Sequence, residues 1–225
     1  MPIPDSATLT SLEAIDQAVH DCTACPLAAG RLKAVPGDGD PHSAILFIGE
    51  GPGQKEDELG SPFVGAAGKF LDDLLAAILL TRKDVFVTNI VKCRPPGNRD
   101  PEEDEVKTCS DLFLWKQIEL INPKLICTLG RHSMSLFLPP SMKISQVHGQ
   151  PKRVKGPALS RVEGRVIMPL YHPAAALYNG SMRTTLNYDF KKIPLVLKKI
   201  DEVVEEVIPV PARTPKPKVD QPKLF

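Results

Sequence analysis

Four of the five cysteines fall in two pairs whose spacing suits a metal centre. Cys22 and Cys25 lie in Cys-Thr-Ala-Cys, and Cys93 and Cys109 follow, with Cys93 inside the basic, proline-rich stretch Lys92-Cys-Arg-Pro-Pro-Gly-Asn-Arg99. Four thiols held together point to a soft, positively charged partner, either zinc or an iron–sulfur cluster. Two disulfides are the competing arrangement. A chain of 225 residues buries a core without such staples, and the start Met-Pro-Ile-Pro-Asp-Ser lacks the basic and apolar regions of a secretion signal. Cys127 stands apart, in Pro-Lys-Leu-Ile-Cys-Thr-Leu-Gly, an apolar run that reads as a buried strand where cysteine acts as a small hydrophobe.

A second set of chemistry-bearing residues follows three other apolar runs. These are Gly49-Glu50-Gly51-Pro52-Gly53-Gln54-Lys55-Glu56-Asp57, Thr88-Asn89-Ile90-Val91-Lys92-Cys93 and Tyr171-His172-Pro173. The glycine turn lacks the Gly-Lys-Ser/Thr of a Walker loop and does not match Gly-x-Gly-x-x-Gly, so phosphate cradling has little support. No serine or cysteine nucleophile sits beside a base, which disfavours acyl transfer. What the set offers is an amide, Asn89, that can pair with a heterocycle edge, a histidine, His172, that can stabilise developing negative charge, and Phe63 as a stacking face. Those parts suit a flat base, and with basic loops nearby, a nucleotide extruded from a nucleic acid.

The elements that must position these residues alternate between strands and helices. The patterns predict a helix over 11–20, a strand over 44–49, an amphipathic helix over 66–80 and a strand over 85–90. A long helix is expected over 101–120, opened by Asp100 as N-cap with Pro101 in its first position. Then come a strand over 124–129, a helix over 131–137, a strand over 165–170 and a closing helix over 187–208. Such alternation implies an α/β fold, a mostly parallel sheet covered on both faces, in which ligands bind beyond the carboxyl ends of the strands. All three polar segments follow strands, so they gather at that edge.

Composition agrees with a cytoplasmic globular protein: 42% hydrophobic and 24% charged residues, a net charge of +1 and no apolar run long enough to span a membrane. Charge is unevenly placed. Lys92, Arg94 and Arg99 crowd one loop, Lys143, Lys152, Arg153, Lys155, Arg161 and Arg165 a second region, and Glu102, Glu103, Asp104 and Glu105 the start of the long helix, where the helix dipole accounts for them.

Gly-Glu-Gly-Pro-Gly at 49–53, Pro-Phe-Val-Gly-x-Ala-Gly at 62–68, Thr-Asn-Ile-Val-Lys-Cys-Arg-Pro-Pro-x-Asn-Arg at 88–99 and His-Pro-Ala at 172–174, with all four cysteines in register, closely resemble the family 4 uracil-DNA glycosylases. The resemblance runs from about residue 22 to 197. It implies a three-layer α/β/α sandwich around a four-stranded, mostly parallel sheet, spanning a domain over 1–208. It implies a [4Fe-4S] cluster on Cys22, Cys25, Cys93 and Cys109, which decides iron over zinc by likeness and not by spacing. The implied activity is base-excision DNA repair: uracil is flipped out of single- or double-stranded DNA and its N-glycosidic bond hydrolysed, leaving an abasic site. The implied setting is a cytoplasmic, nucleoid-associated monomer.

Carried over residue by residue, Phe63 stacks on the flipped uracil and Asn89 reads its O4 and N3–H. Glu56 crowds the C5 edge, so that a thymine methyl would clash, and His172 contacts O2, where charge accumulates as the bond breaks. The best-known branch of the superfamily places a water-handling aspartate where this chain has Gly51, leaving Glu50 as the nearest candidate base, as a backbone guide for water or as a brace for the loop. Another departure is Ala174-Ala175-Ala176-Leu177, where the family often has serine after His-Pro. Leu177, or a neighbour up to Arg183, is the candidate wedge into the space left by the base, and Lys92, Arg94, Arg99 and Arg183 are the candidate DNA contacts.

Two other functions compete with glycosylase activity. A branch of the superfamily that bonds covalently to DNA does so through a histidine in an inserted basic loop, but here Lys92 runs straight into Cys-Arg-Pro-Pro. A catalytically silent DNA-binding module with a structural metal would have no need of Phe63, Asn89 and His172 together. Finally, residues 209–225 are proline-rich and read as a flexible tail, ending in Gln221-Pro-Lys-Leu-Phe225. Gln221, Leu224 and Phe225 resemble the short peptides that dock on DNA sliding clamps.

Overall fold

A computed structural model describes residues 8–153 and 162–203. Lys155, Arg161 and the tail with Gln221, Leu224 and Phe225 lie outside those residues. In chain order the strands are β1 (Asp38–Gly39), β2 (Ile45–Gly49), β3 (Phe86–Asn89), β4 (Leu125–Leu129), β5 (Lys152–Arg153) and β6 (Val166–Leu170). They form one sheet in the order β1-β3-β2-β4-β6-β5. The inner four strands are parallel, and β1 and β5 pair antiparallel at the two edges. The expected four-stranded parallel sheet is therefore present, with two edge strands too short to leave a period in the sequence.

All four parallel strands are buried along their length, as a sheet covered on both faces requires. Side chains alternate between two cores. Ile45, Phe47, Cys127, Leu129 and Met168 pack on one side against Leu71 and Leu74 of one helix and Phe190 of another. Leu46, Ile48, Ile126 and Ile167 pack on the other against Ile118, Phe137 and Leu138. Cys127 is the inert buried thiol that its strand pattern implies, its ionisation pushed up by burial alone.

The helices are α1 (Leu12–Asp21), α2 (Gln54–Leu59), α3 (Ala66–Ala76), α4 (Glu103–Cys109), α5 (Trp115–Ile121), α6 (Arg131–Ser135), α7 (Ile144–Val147), α8 (Gly180–Phe190) and α9 (Ile193–Val203). Ser11 caps α1, its hydroxyl accepting from Ala14 N at 3.2 Å. No helix among the described residues is long and apolar enough to cross a membrane.

Two helices differ from expectation. The one expected over 101–120 begins at Glu103, capped by Glu102 rather than Asp100. The buried Glu105 carboxylate accepts from Glu102 N at 2.8 Å and from both terminal nitrogens of Arg99 at 2.9 and 2.6 Å, which fixes the start there. The same helix is interrupted between α4 and α5 by a π-helical turn over Ser110–Leu114. The closing helix is two helices, α8 and α9, because Pro194 in the first turn of α9 has no N–H to give the carbonyl of Phe190. A third apolar cluster joins α1 to the π turn through Ile15, Val19, Leu27, Val91 and Phe113, and the four paired cysteines sit within it.

Candidate active site

Beyond the carboxyl ends of β2, β3 and β6 opens a cavity of about 450 Å³, lined by the Glu50–Gly53 turn, Glu56, Phe63, Asn89, Asp100 and His172 among others. Its floor depends on close approach between neighbouring strands. Gly49 is in register with Asn89, and a Cβ on Gly49 would lie 2.3 Å from Asn89 Oδ1 and 2.7 Å from the Phe63 ring. Only glycine lets the amide and the ring share that space. Asn89 is 1% exposed, and its Oδ1 has no hydrogen-bond partner among the described residues. A buried acceptor left without a partner costs free energy, so the amide is stored in a state that an occupant's polar edge can relieve.

Phe63 and His172 are stacked, with ring centroids 5.6 Å apart and planes 26° from parallel. Phe63 holds a φ of +53°, a region that bulky side chains rarely occupy. The backbone around it is clamped from two directions. Arg82 donates from Nη2 to Phe63 O at 2.8 Å, and the Glu56 carboxylate accepts from the backbone N–H groups of Val64 and Gly65 at 2.9 and 2.8 Å. Glu56 thus lines the cavity and anchors the Phe63 loop at the start of α3. Nothing in the sequence singled out Arg82, whose partner is a main-chain carbonyl 19 residues away.

His172 Nδ1 accepts from Ala174 N at 3.1 Å, which leaves the ring proton on Nε2. The ring keeps some solvent contact through the cavity mouth but is otherwise packed in protein, and this burial pulls its pKa down to about 4, with Glu56 pulling weakly upward. It is a neutral donor at physiological pH.

Glu50 lies on the cavity wall with its carboxyl held above the usual carboxylate range, by burial first, then by Asp100, with His132 and Arg131 acting in the opposite sense. Glu50, Asp100 and His132 place one oxygen or nitrogen each within 4.8 Å of one another. His132 Nε2 lies 3.1 Å from Asp100 Oδ2 and 3.9 Å from Glu50 Oε2, and Arg131 donates from Nη2 to Asp100 at 2.8 Å. Asp100, expected as a helix cap, is therefore a second carboxylate of the site. Arg131 and His132 follow β4 and were legible by the same strand-end rule, but only their helix was read from the sequence.

Cys22, Cys25, Cys93 and Cys109 line one small recess with Arg31 and Lys92. All are free thiols. Three of the sulfurs accept N–H bonds: Cys93 from Arg31 Nη1 at 3.2 Å, Cys109 from Lys92 N at 3.3 Å and Cys22 from Ala24 N at 3.5 Å. Burial pushes the Cys25 and Cys93 thiols up and that of Cys109 to about 12. As thiols they stay protonated unless a metal takes the proton's place.

The expected DNA contacts divide. Lys92 is a correction: it is 1% exposed and cannot reach a phosphate. Its ammonium donates to Gln117 Oε1 and Thr88 Oγ1 at 2.6 Å each and to Asn89 O at 2.8 Å. Arg99 lines the cavity but is paired by Glu105, and Arg94 donates to Asn98 Oδ1 at 2.7 Å. Leu177 is 38% and Tyr178 95% exposed just past His172. Arg183 is exposed, over the ring of Phe70.

Residues 36–194 match the family model of the uracil DNA glycosylase superfamily. The chain is 48% identical over 189 residues to a type-4 uracil-DNA glycosylase of Sulfurisphaera tokodaii, covering 82% of this chain and 84% of that one. It is 49% identical over 190 residues to one of Saccharolobus solfataricus, covering 82% and 86%, and 39% identical over 191 residues to one of Thermotoga maritima, covering 84% and 95%. Similarity of this extent means that the chain belongs to the type-4 uracil-DNA glycosylases of the uracil DNA glycosylase superfamily.

Proposed function

We propose that the protein is a DNA-repair hydrolase that takes uracil flipped from DNA into the cavity and cleaves its N-glycosidic bond, leaving an abasic site. The observation that carries this reading is the buried Asn89 Oδ1 without a partner, beside the stacked Phe63 and His172. Uracil offers N3–H to that oxygen and O4 to the amide nitrogen. Cytosine presents the reverse pattern and would leave unpaired groups in a dry pocket. Glu56 stands at the C5 edge, where the thymine methyl would need room.

In the reaction, the bond from the sugar C1′ to the base N1 breaks and its electron pair leaves with uracil, while the sugar becomes oxocarbenium-like. Neutral His172 donates from Nε2 to O2, stabilising the leaving anion without giving up its proton. Loss of one such preorganised donor costs roughly 3–4 kcal/mol. Water then adds to C1′, its proton taken by Glu50, whose raised pKa suits a base drawing on a half-dry pocket. A Cβ on Gly51 would lie 2.9 Å from Val91 Cγ2, so glycine keeps the turn close to the loop after β3, and Arg94, Arg99, Arg183 and Leu177 are the surfaces offered to the DNA.

A [4Fe-4S] cluster on Cys22, Cys25, Cys93 and Cys109 fits this donor set. Four zinc-bound sulfurs would sit about 3.8 Å apart around a single ion, yet among the described residues the group of three or more candidate ligands within 4.8 Å is Glu50, Asp100 and His132, not the cysteines. The wider spacing and the N–H bonds to sulfur support a cluster, whose role when bound is to tie α1, the loop at Cys93 and the end of α4 together. A monomer working on chromosomal DNA is the natural setting, with the tail residues Gln221, Leu224 and Phe225 as a sliding-clamp peptide. A truncation lacking 221–225 that binds the clamp as tightly as the full chain rules out that last point.

The test is a uracil-containing oligonucleotide assayed for free uracil and for alkali-labile sites, with His172→Ala and Asn89→Ala as controls. Release of uracil by the native chain, sharply reduced in both variants, is expected. No release from single- or double-stranded substrate defeats the proposal.

A further inference from the structure

Lys92 is among the largest fully buried side chains of the protein. All three donors of its ammonium are used, and all three acceptors are neutral: Thr88 Oγ1, Asn89 O and Gln117 Oε1. Among the described residues no carboxylate pairs with it. A cation taken wholly out of water without an anion is costly, so a negative group nearby would stabilise it. Burial pulls its pKa down to about 8, and Cys109 and Cys93 act in the opposite sense. The main chain of Lys92 touches the same place, its N–H donating to Cys109 Sγ.

We propose that Lys92 is a positioning residue that joins the cysteine-held cluster to the base-reading end of β3. Its ammonium is the buried counter-charge of the anionic cluster, and the same ammonium fixes Asn89 O and Thr88 Oγ1. This rests on the reading of the four cysteines as cluster ligands. Four thiolates around a cluster leave a net negative charge in the recess that Lys92 also lines, which the ammonium offsets. Three N–H bonds then transmit the placement to the carbonyl of Asn89 and to the threonine before it. Gln117 closes the network by donating from Nε2 to Pro36 O at 2.9 Å, and Lys92 O accepts from Val35 N at 2.8 Å. The segment before β1 is thereby held as well. The cluster acts on base recognition through one side chain, without approaching the base.

Lys92→Met keeps the length of the stem and removes the charge and the donors. With anaerobically purified full-length protein, the variant is expected to lower the cluster's reduction potential, because reduction adds negative charge that no cation now offsets. It should lower kcat/KM for uracil excision roughly 10- to 100-fold, as loss of an outer-shell partner does. A merely structural lysine would not move the potential. A Lys92→Met protein with wild-type iron content and an unchanged potential overturns the proposal, as does one with unchanged excision.

If that variant does not fold, amide hydrogen exchange of the native chain before and after cluster removal decides the matter. Exchange at residues 88–92 should rise well above that at β4. Equal protection in both states refutes the link. Native protein that carries no iron removes the cluster reading and this inference together. Native protein that carries iron and excises uracil, with no effect of Lys92→Met, removes this inference alone.

Discussion

Gly49 and Asn89 face each other across β2 and β3 so closely that one methyl group on Gly49 would sit 2.3 Å from Asn89 Oδ1. The site is therefore built on a missing side chain. In Gly49→Ala the amide and the Phe63 ring must both shift. The strain of such overpacking is about 1–3 kcal/mol, so kcat/KM for uracil excision should fall roughly 10- to 100-fold while far-UV circular dichroism stays native. An Ala variant with unaltered kinetics would show that the amide does not need its observed position.

Asn89 is held with an unpaired acceptor, a state worth about 1–3 kcal/mol of lost stability. Asn89→Leu, of similar shape and without polar atoms, should match or exceed the native urea midpoint while excision drops roughly 100-fold or more. Parallel loss of stability and activity would mean that the amide serves the fold and not the substrate.

Arg82 holds the carbonyl of a phenylalanine in left-handed backbone. Hydrogen bonds to charged donors contribute about 1.5–3 kcal/mol, and in Arg82→Ala the stacking face should loosen. KM for a uracil oligonucleotide is expected to rise more than kcat falls, with partial recovery in Arg82→Lys. Steady-state kinetics on the three proteins separates the two constants.

His172 makes the fold sensitive to acid. Its folded pKa of about 4 lies below the ordinary histidine value of 6.5, so between those pH values the unfolded chain binds the extra proton and stability rises with pH. The contribution is complete above pH 6.5 and is lost as pH falls through about 4. Urea midpoints of the native chain should thus decline from pH 7 to pH 4 more steeply than those of His172→Ala. As a donor the ring stays neutral through the physiological range, so no activity limb near pH 6 should trace to it.

Much of this was legible in the sequence because the chemistry follows strands. Glu50, Asn89 and His172 each come directly after an apolar run, and a parallel sheet brings such ends to one edge. Lys92 was misread because a lysine among arginines in a proline-rich loop looks solvent-facing. Its burial depends on Thr88, Asn89 O and Gln117, and Gln117 lies 25 residues further on in another helix. Asp100 was misread for a related reason. Asp-Pro before a helical pattern is a good local cap, but Glu105, engaged by Arg99 and by the N–H of Glu102, begins the helix two residues later and releases Asp100 toward Arg131. In both cases contacts distant in sequence outweighed a sound local preference.

The π turn over Ser110–Leu114 explains how one helix serves two ends of the same lysine. Cys109 and Gln117 are eight positions apart, which on an unbroken α-helix would aim them about 80° from each other. One residue absorbed by the wider turn makes them behave as if seven apart, within roughly 20°. Cys109 then meets the main chain of Lys92 and Gln117 its ammonium. That turn is a phase correction, so deletion of a single residue from it should leave a regular helix in which the glutamine, now seven positions from the cysteine, still points at the lysine.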